Sequence, residues 1–134
     1  MRRVLVTGGS GFIGCNFLRL VVPERPDTGW VNLDALTYAG RPENTEDFAD
    51  AENYRFVKGR IQDRMLVEAL FSEDGGFDAV VNFAAETHVD RSIAGPRVFV
   101  ETNVMGTQNL LEAARRHGVE RFVQVSTDEV YGLS

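Results

Sequence analysis

The stretch "VLVTGGSGFIG", residues 4–14, constrains this chain more than any other part of it. A short β-branched run enters a cluster of glycines, and Phe12, Ile13, Phe17, Leu20 and Val21 then recur at helical spacing. A strand that turns through glycines directly into a helix presents unpaired N–H groups and a partial positive charge at the turn, which suits phosphate. Gly8 and Gly11 let the backbone turn tightly and approach a pyrophosphate, and Gly14 lets the helix pack closely on the sheet. A Gly-x-Gly-x-x-Gly match alone is weak; the strand before it and the helix after it give this one weight. No Gly-Lys-Ser/Thr follows, which argues against a triphosphate-binding P-loop.

The rest of the chain repeats the alternation. Residues 30–33, 54–58, 79–83 and 122–125 read as strands. Asp63 reads as the N-cap of a helix through Phe71, and a long helical pattern runs from about Arg97 to the C-capping Gly118. Strands alternating with helices imply a parallel sheet with right-handed crossovers. The expected fold is an α/β, Rossmann-type doubly wound parallel sheet, incomplete, holding its first five strands in one domain over residues 1–134. Residues 35–53, with a helical turn around Glu46, and 84–96 are irregular.

Composition narrows the partners. A net charge of −6 argues against nucleic acid or an anionic membrane as the main partner. No apolar run approaches the roughly 20 residues needed to span a bilayer, and the start is too short in apolar residues for a signal peptide. The single cysteine, Cys15, permits no intrachain disulfide and no zinc spacing, so no metal is expected. A cytoplasmic domain is the reading that follows.

Asp34 stands 20 residues after Gly14, at the tip of the second strand. An acidic side chain there can bond a ribose 2′-hydroxyl and would repel a 2′-phosphate, so the cofactor reads as NAD in preference to NADP. The plainer alternative is a turn or capping aspartate.

Five stretches in order, "TGGSGFIG", "NLDALTYAG", "NFAAETHVDRSI", "ETNVMGTQNLLEAAR" and "VSTDEVYG", carry a family resemblance. From Arg3 to Gly132 the chain resembles the extended short-chain dehydrogenase/reductases, and within them the dTDP-glucose 4,6-dehydratases. The resemblance implies dTDP-glucose as substrate and a bound NAD that takes hydride from C4 and returns it to C6. Glu129 matches the general base for the C5 proton, Asp128 the acid that protonates the departing 6-hydroxyl, and Thr127 the residue that orients the 4-oxygen. Such chemistry needs one ionised and one protonated carboxyl group, and close like charges separate two pKa values. Without the resemblance, Asp128-Glu129 reads as an ordinary acidic turn. The cofactor set it implies is Gly8, Gly11, Phe12, Ile13 and Gly14 at the pyrophosphate, Asp34, Ala35, Leu36 and Thr37 at the adenosine ribose, and Ile61, Phe83, Ala84, Ala85, Thr87 and Thr102. Thr87 and His88 would stand at the junction with the sugar, so the substrate set is Thr87, His88 and Thr127.

Two departures qualify the match. Where the family shows Gly-Asp-Ile after the third strand, this chain has Gly59-Arg60-Ile61, and arginine has no acceptor to offer the adenine amino group. The family's Tyr-x-x-x-Lys pair is absent from these 134 residues, as is the sugar-nucleotide domain. The chain therefore reads as the N-terminal portion of a dehydratase, inactive alone and exposing apolar surface that the other half covers. Phe99, Val100, Val104, Leu110, Leu111 and Ala114 make a band wide enough for a homodimer's helices in the full-length protein. The alternatives are a sister dehydratase acting on GDP-mannose, a sugar epimerase, or a non-catalytic NAD-binding module.

Overall fold

The computed structural model describes residues 2–36, 42–83 and 96–125, with backbone alone for Pro42 and for 96–104. Strand β1 (Arg2–Thr7) leads through the glycines into helix α1 (Phe12–Glu24), followed by β2 (Thr28–Asp34), a 3-10 helix (Pro42–Phe48) and β3 (Tyr54–Lys58). Helix α2 (Arg64–Ser72), a short 3-10 turn (Glu73–Gly75), β4 (Ala79–Asn82), helix α3 (Pro96–Arg116) and β5 (Arg121–Gln124) complete it.

The sheet has five strands in the order β3-β2-β1-β4-β5, all parallel. The order reverses between β1 and β4, and it is beyond the carboxyl ends of strands at such a reversal that open α/β sheets bind ligands. Registration brings that edge into line: Thr7 pairs with Leu33 and with Asn82, and Asn82 pairs with Gln124.

Alternation along the strands builds two core layers. Val4 and Val6 face α1 and the first 3-10 helix with Leu18, Val22, Trp30, Phe48 and Tyr54. Leu5 faces α2 and α3 with Leu33, Val67, Phe71, Val80 and Leu110. Leu5, Leu18, Val80 and Leu110 are fully buried, each contributing about 1.5–3 kcal/mol relative to an exposed side chain. In α1 the packed stripe is Gly14, Cys15, Leu18 and Val22, while Phe12, Ile13 and Leu20 are exposed at 77%, 51% and 63%. The apolar spacing in the sequence thus marks the helix but not the face it buries.

Local chemistry fixes the helix ends. The Asp63 carboxylate caps α2 by accepting from the Leu66 N–H at 3.2 Å. Gly118 closes α3 at φ 68°, with the Val119 N–H returning to the Ala114 carbonyl at 2.9 Å; a residue with a Cβ adopts that conformation at a cost. Glu68 of α2 binds both Arg116 and His117 beyond it, the latter at 3.0 Å, and so joins α2 to the end of α3. Of the predicted apolar band on α3, Leu110 and Ala114 are buried and Leu111 is 47% exposed; the side chains of Phe99, Val100 and Val104 lie outside the described residues. Val123 on the outer strand β5 is 47% exposed. Among the described residues no helix is long and apolar enough to cross a membrane.

Candidate functional site

The glycine turn sits at the reversal of strand order and is built by three close approaches. Gly8 adopts φ 73° and donates its N–H to the Leu33 carbonyl at 2.9 Å, so the chain leaves β1 still attached to β2. A Cβ on Gly9 would lie 2.4 Å from Asn32 Oδ1 and 2.6 Å from Leu18 Cδ1. A Cβ on Gly14 would lie 2.4 Å from the Gly8 carbonyl oxygen and 2.8 Å from Gly9 Cα. Gly14 therefore lets α1 press against the glycine turn itself, where the sequence suggested contact with the sheet.

Gly11 is the N-cap of α1 and has no side-chain bond to the first turn. A helix begun this way keeps the N–H groups of its first turn free of intrahelical partners. Those of Phe12, Ile13 and Gly14 belong to that turn, and the exposure of Phe12 and Ile13 leaves it accessible. Together with the helix dipole, this is an anion-binding geometry.

Asp34 is 8% exposed and reaches the turn from the end of β2. Its Oδ2 accepts from the Ser10 N–H and its Oδ1 from the Leu36 N–H, each at 2.8 Å. Leu36 itself takes φ 57°, unusual for a residue with a bulky side chain. Each carboxylate oxygen retains further acceptor capacity, so a ligand hydroxyl can share the group. The carboxylate is thus aimed before any ligand arrives. Beside it, the Gly59 N–H bonds the Asp34 carbonyl at 3.1 Å, and the neighbouring Arg60 is exposed.

A buried polar network fixes the turn from beneath. Asn32 and Ser10 are fully buried and Tyr54 is 8% exposed. Asn32 Nδ2 donates to Ser10 Oγ at 3.2 Å and to the Tyr54 hydroxyl at 3.0 Å, and Asn44 Nδ2 donates to the Ser10 carbonyl at 2.7 Å. Burial pushes the Tyr54 phenol above its ordinary value, against the opposing bonds from Asn32 and Thr45. Arg19 on α1 holds the 3-10 helix through Asp47 Oδ2 at 2.6 Å and the Asn44 carbonyl at 2.8 Å. On the opposite face of the sheet the Thr7 hydroxyl donates to Asn82 Oδ1, and Asn82 Nδ2 donates to Gln124 Oε1 at 2.8 Å.

Of the residues expected at the site, Gly8, Gly11, Phe12, Ile13, Gly14, Asp34, Ala35 and Leu36 gather at this edge. Phe83 joins them: its N–H bonds the Thr7 carbonyl at 2.8 Å and its ring packs on Phe17 at 5.4 Å. Ile61 is 4% exposed, and a Cβ on Gly106 would meet its Cγ1 at 2.4 Å, so its side chain belongs to the core and only its backbone can face a ligand. Thr37, Ala84, Ala85, Thr87, His88, Thr127, Asp128 and Glu129 lie outside the described residues, as does the side chain of Thr102. The Val125 N–H still bonds the Asn82 carbonyl at 3.1 Å, so the chain as far as Val125 runs beside the end of β4.

Gly9, Ser10, Asn32, Asn44 and Tyr54 were not singled out from sequence. One signal was available: Asn32 interrupts "WVNLD", and a polar residue inside a strand buried on both faces needs a partner.

Comparison with known proteins gives the family and supports the fold. Residues 5–134 match the family model described as GDP-mannose 4,6 dehydratase. The low-salt glycan biosynthesis protein Agl12 of Haloferax volcanii is 56% identical over 129 residues, covering 96% of this chain and 40% of that protein. A dTDP-glucose 4,6-dehydratase of Streptomyces niveus is 54% identical over 134 residues, covering 97% of this chain and 39% of the enzyme. A dTDP-glucose 4,6-dehydratase of Streptomyces venezuelae, solved with NAD bound, superposes with a TM-score of 0.84 at 52% identity, covering 96% of this chain and 40% of that one. The chain thus spans about two fifths of the length of the relatives it matches.

Proposed function

From the premise that this chain belongs to the GDP-mannose 4,6-dehydratase family, we propose that it is the NAD-binding part of an enzyme that dehydrates dTDP-glucose to the 4-keto-6-deoxy sugar. The observation that carries the reading is the meeting of an uncapped helix N-terminus and the oriented Asp34 carboxylate at one edge of the sheet. These residues fit a dinucleotide. The first turn of α1 receives the diphosphate, and Asp34 receives the hydroxyls of the adenosine ribose. A 2′-phosphate would meet the same carboxylate and be repelled, so NAD is favoured over NADP. The choice of dTDP-glucose follows the names of the similar dehydratases.

Bound there, NAD supplies reversible hydride acceptance. The chain's own residues serve the elimination. Thr127 orients the 4-oxygen of the hexose, Glu129 takes the C5 proton, and Asp128 gives a proton to the departing 6-oxygen. Thr87 and His88 stand at the sugar, and Thr37, Ala84, Ala85 and Thr102 complete the cofactor contacts. Proton abstraction and donation by two neighbouring carboxyl groups require different protonation states, which mutual repulsion favours. A Tyr-x-x-x-Lys pair to act on the 4-hydroxyl would come from outside these 134 residues. The exposed Met105, at 57%, and Leu111, at 47%, support a homodimer through α3 in the full-length protein; light scattering that finds a monomer at micromolar concentration removes that association.

Two measurements test the proposal. Calorimetric titration of this chain with NAD should show saturable binding, and its absence removes the cofactor reading. Incubation of the enzyme carrying this chain with dTDP-glucose in deuterium oxide should give a 4-keto-6-deoxy product labelled at C5. An epimerised hexose, or turnover of GDP-mannose alone, overturns the assigned reaction or substrate.

A further inference from the structure

We infer that Asn32 is the positioning residue of the dinucleotide turn, holding two consecutive residues, Gly9 and Ser10, in their binding arrangement from within the sheet. The proposal rests on the NAD reading above and adds how the site is kept ready. Asn32 is fully buried on β2. Its Oδ1 accepts from the Gly9 N–H at 2.9 Å, while Nδ2 donates to Ser10 Oγ at 3.2 Å and to the Tyr54 hydroxyl at 3.0 Å. Both amide hydrogens are used, so the group has one orientation.

The consequence is directional. The Gly9 N–H is drawn to Asn32, the Ser10 N–H to Asp34 at 2.8 Å, and the Gly11 N–H to the Gly8 carbonyl at 3.2 Å. With those three amides turned inward, the donors left to an anion are those of the first turn of α1. Glycine-rich backbone has the most conformational freedom to lose. A turn already clamped by a side chain loses less of it on binding, which raises affinity without a contact to the ligand. Tyr54 secures the other end of the clamp on β3, where its ring meets Phe48 edge-on at 5.0 Å. Asn44 adds a second hold on the Ser10 carbonyl at 2.7 Å.

The test compares ligands with and without phosphates. In Asn32→Leu, nearly the same shape without hydrogen bonding, NAD and ADP affinity should fall about tenfold or more together. Adenosine, which needs Asp34 but not the phosphate donors, should change by less than about twofold on the same scale. Amide exchange at Gly9 and Ser10 should quicken while that in α2 stays unchanged. If Asn32→Leu does not fold, Tyr54→Phe removes one partner of the carboxamide and should shift the same readouts in the same direction by a smaller factor. An equal loss for adenosine, or unchanged NAD affinity with unchanged Gly9 exchange, overturns the proposal. A parent chain that fails to bind NAD ends the dinucleotide reading instead, and the exchange rates alone then decide whether Asn32 clamps the turn.

Discussion

The Ser10 backbone N–H donates to Asp34 Oδ2 at 2.8 Å across 24 positions of sequence, closing the glycine turn onto the tip of the second strand. The same carboxylate takes the Leu36 N–H through its other oxygen. Asp34 is therefore the partner of two backbone donors as well as the group proposed to receive the adenosine ribose.

Replacing it separates those roles only in part. Asp34→Ala should weaken NAD binding by about 1.5–3 kcal/mol, the range for hydrogen bonds to a charged group. It should also lower folding stability by about 1–3 kcal/mol for each amide left buried and unpaired. Calorimetry and urea unfolding on one preparation read both; NAD affinity within error of the parent would remove Asp34 from the site.

Gly14→Ala should distort the turn, because the added Cβ would lie 2.4 Å from the Gly8 carbonyl oxygen, and backbone cannot yield as a flexible side chain can. A stability loss of about 1–3 kcal/mol, typical of overpacking, is expected together with weaker NAD binding. Gly118→Ala supplies the contrast. Its Cβ meets nothing within 4 Å, but φ is +68°, so about 1 kcal/mol of stability should go with no change in NAD affinity. Equal effects on NAD from both variants would contradict the assignment of the turn.

The Arg19–Asp47 pair predicts an acid-sensitive tie between α1 and the 3-10 helix. The hydrogen bond from Arg19 holds the Asp47 carboxyl below its ordinary 3.8. A folded value depressed in this way contributes stability above the ordinary value and loses it as pH falls through the folded one. Both groups are solvent-exposed, so the contribution is small and screened by salt. Carboxyl NMR should give a midpoint below 3.8 for Asp47, returning toward it in Arg19→Gln. A midpoint unmoved by that substitution would rule the pairing out.

Tyr54 predicts the opposite end of the pH range. Burial raises its phenol above the ordinary 10.0. A raised folded value contributes stability that is complete below pH 10.0 and lost as pH climbs through the folded pKa. Alkaline unfolding followed by circular dichroism should therefore begin above that point, with ionisation of Tyr54 delayed in the native protein. Tyr54→Phe should flatten the alkaline limb, and an unchanged limb would show that the phenol is not the group responsible.

The fold was legible because its signals are local. The Val4–Val6 run, the glycines after it and the spacing beyond them identify strand, turn and helix from adjacent residues, and "AVVNF", residues 79–83, reads as a strand covered on both faces. Asp63 and Gly118 mark helix ends by capping chemistry that acts within four or five residues. Asp34 was readable by its distance from Gly14. The face of α1 was not: Phe12, Ile13 and Leu20 are as apolar as Leu18, and only the position of the sheet decides that Leu18 and Val22 pack while the others meet solvent. Nor does the motif around Ile61 reveal that its side chain fills the space beneath Gly106.

The sequence by itself determined the order of strands and helices, the phosphate-suited turn and the acidic group that follows it, since hydrophobic periodicity, glycine geometry and capping are short-range effects. Only the tertiary structure decided that Asn32 and Asn44, apart in the chain, converge on Gly9 and Ser10, with the Tyr54 hydroxyl holding Asn32 from behind. The reason is physical: a buried amide must find partners, and which ones lie within hydrogen-bond reach is settled by how the strands and the 3-10 helix pack around it, not by any property of its neighbours in sequence.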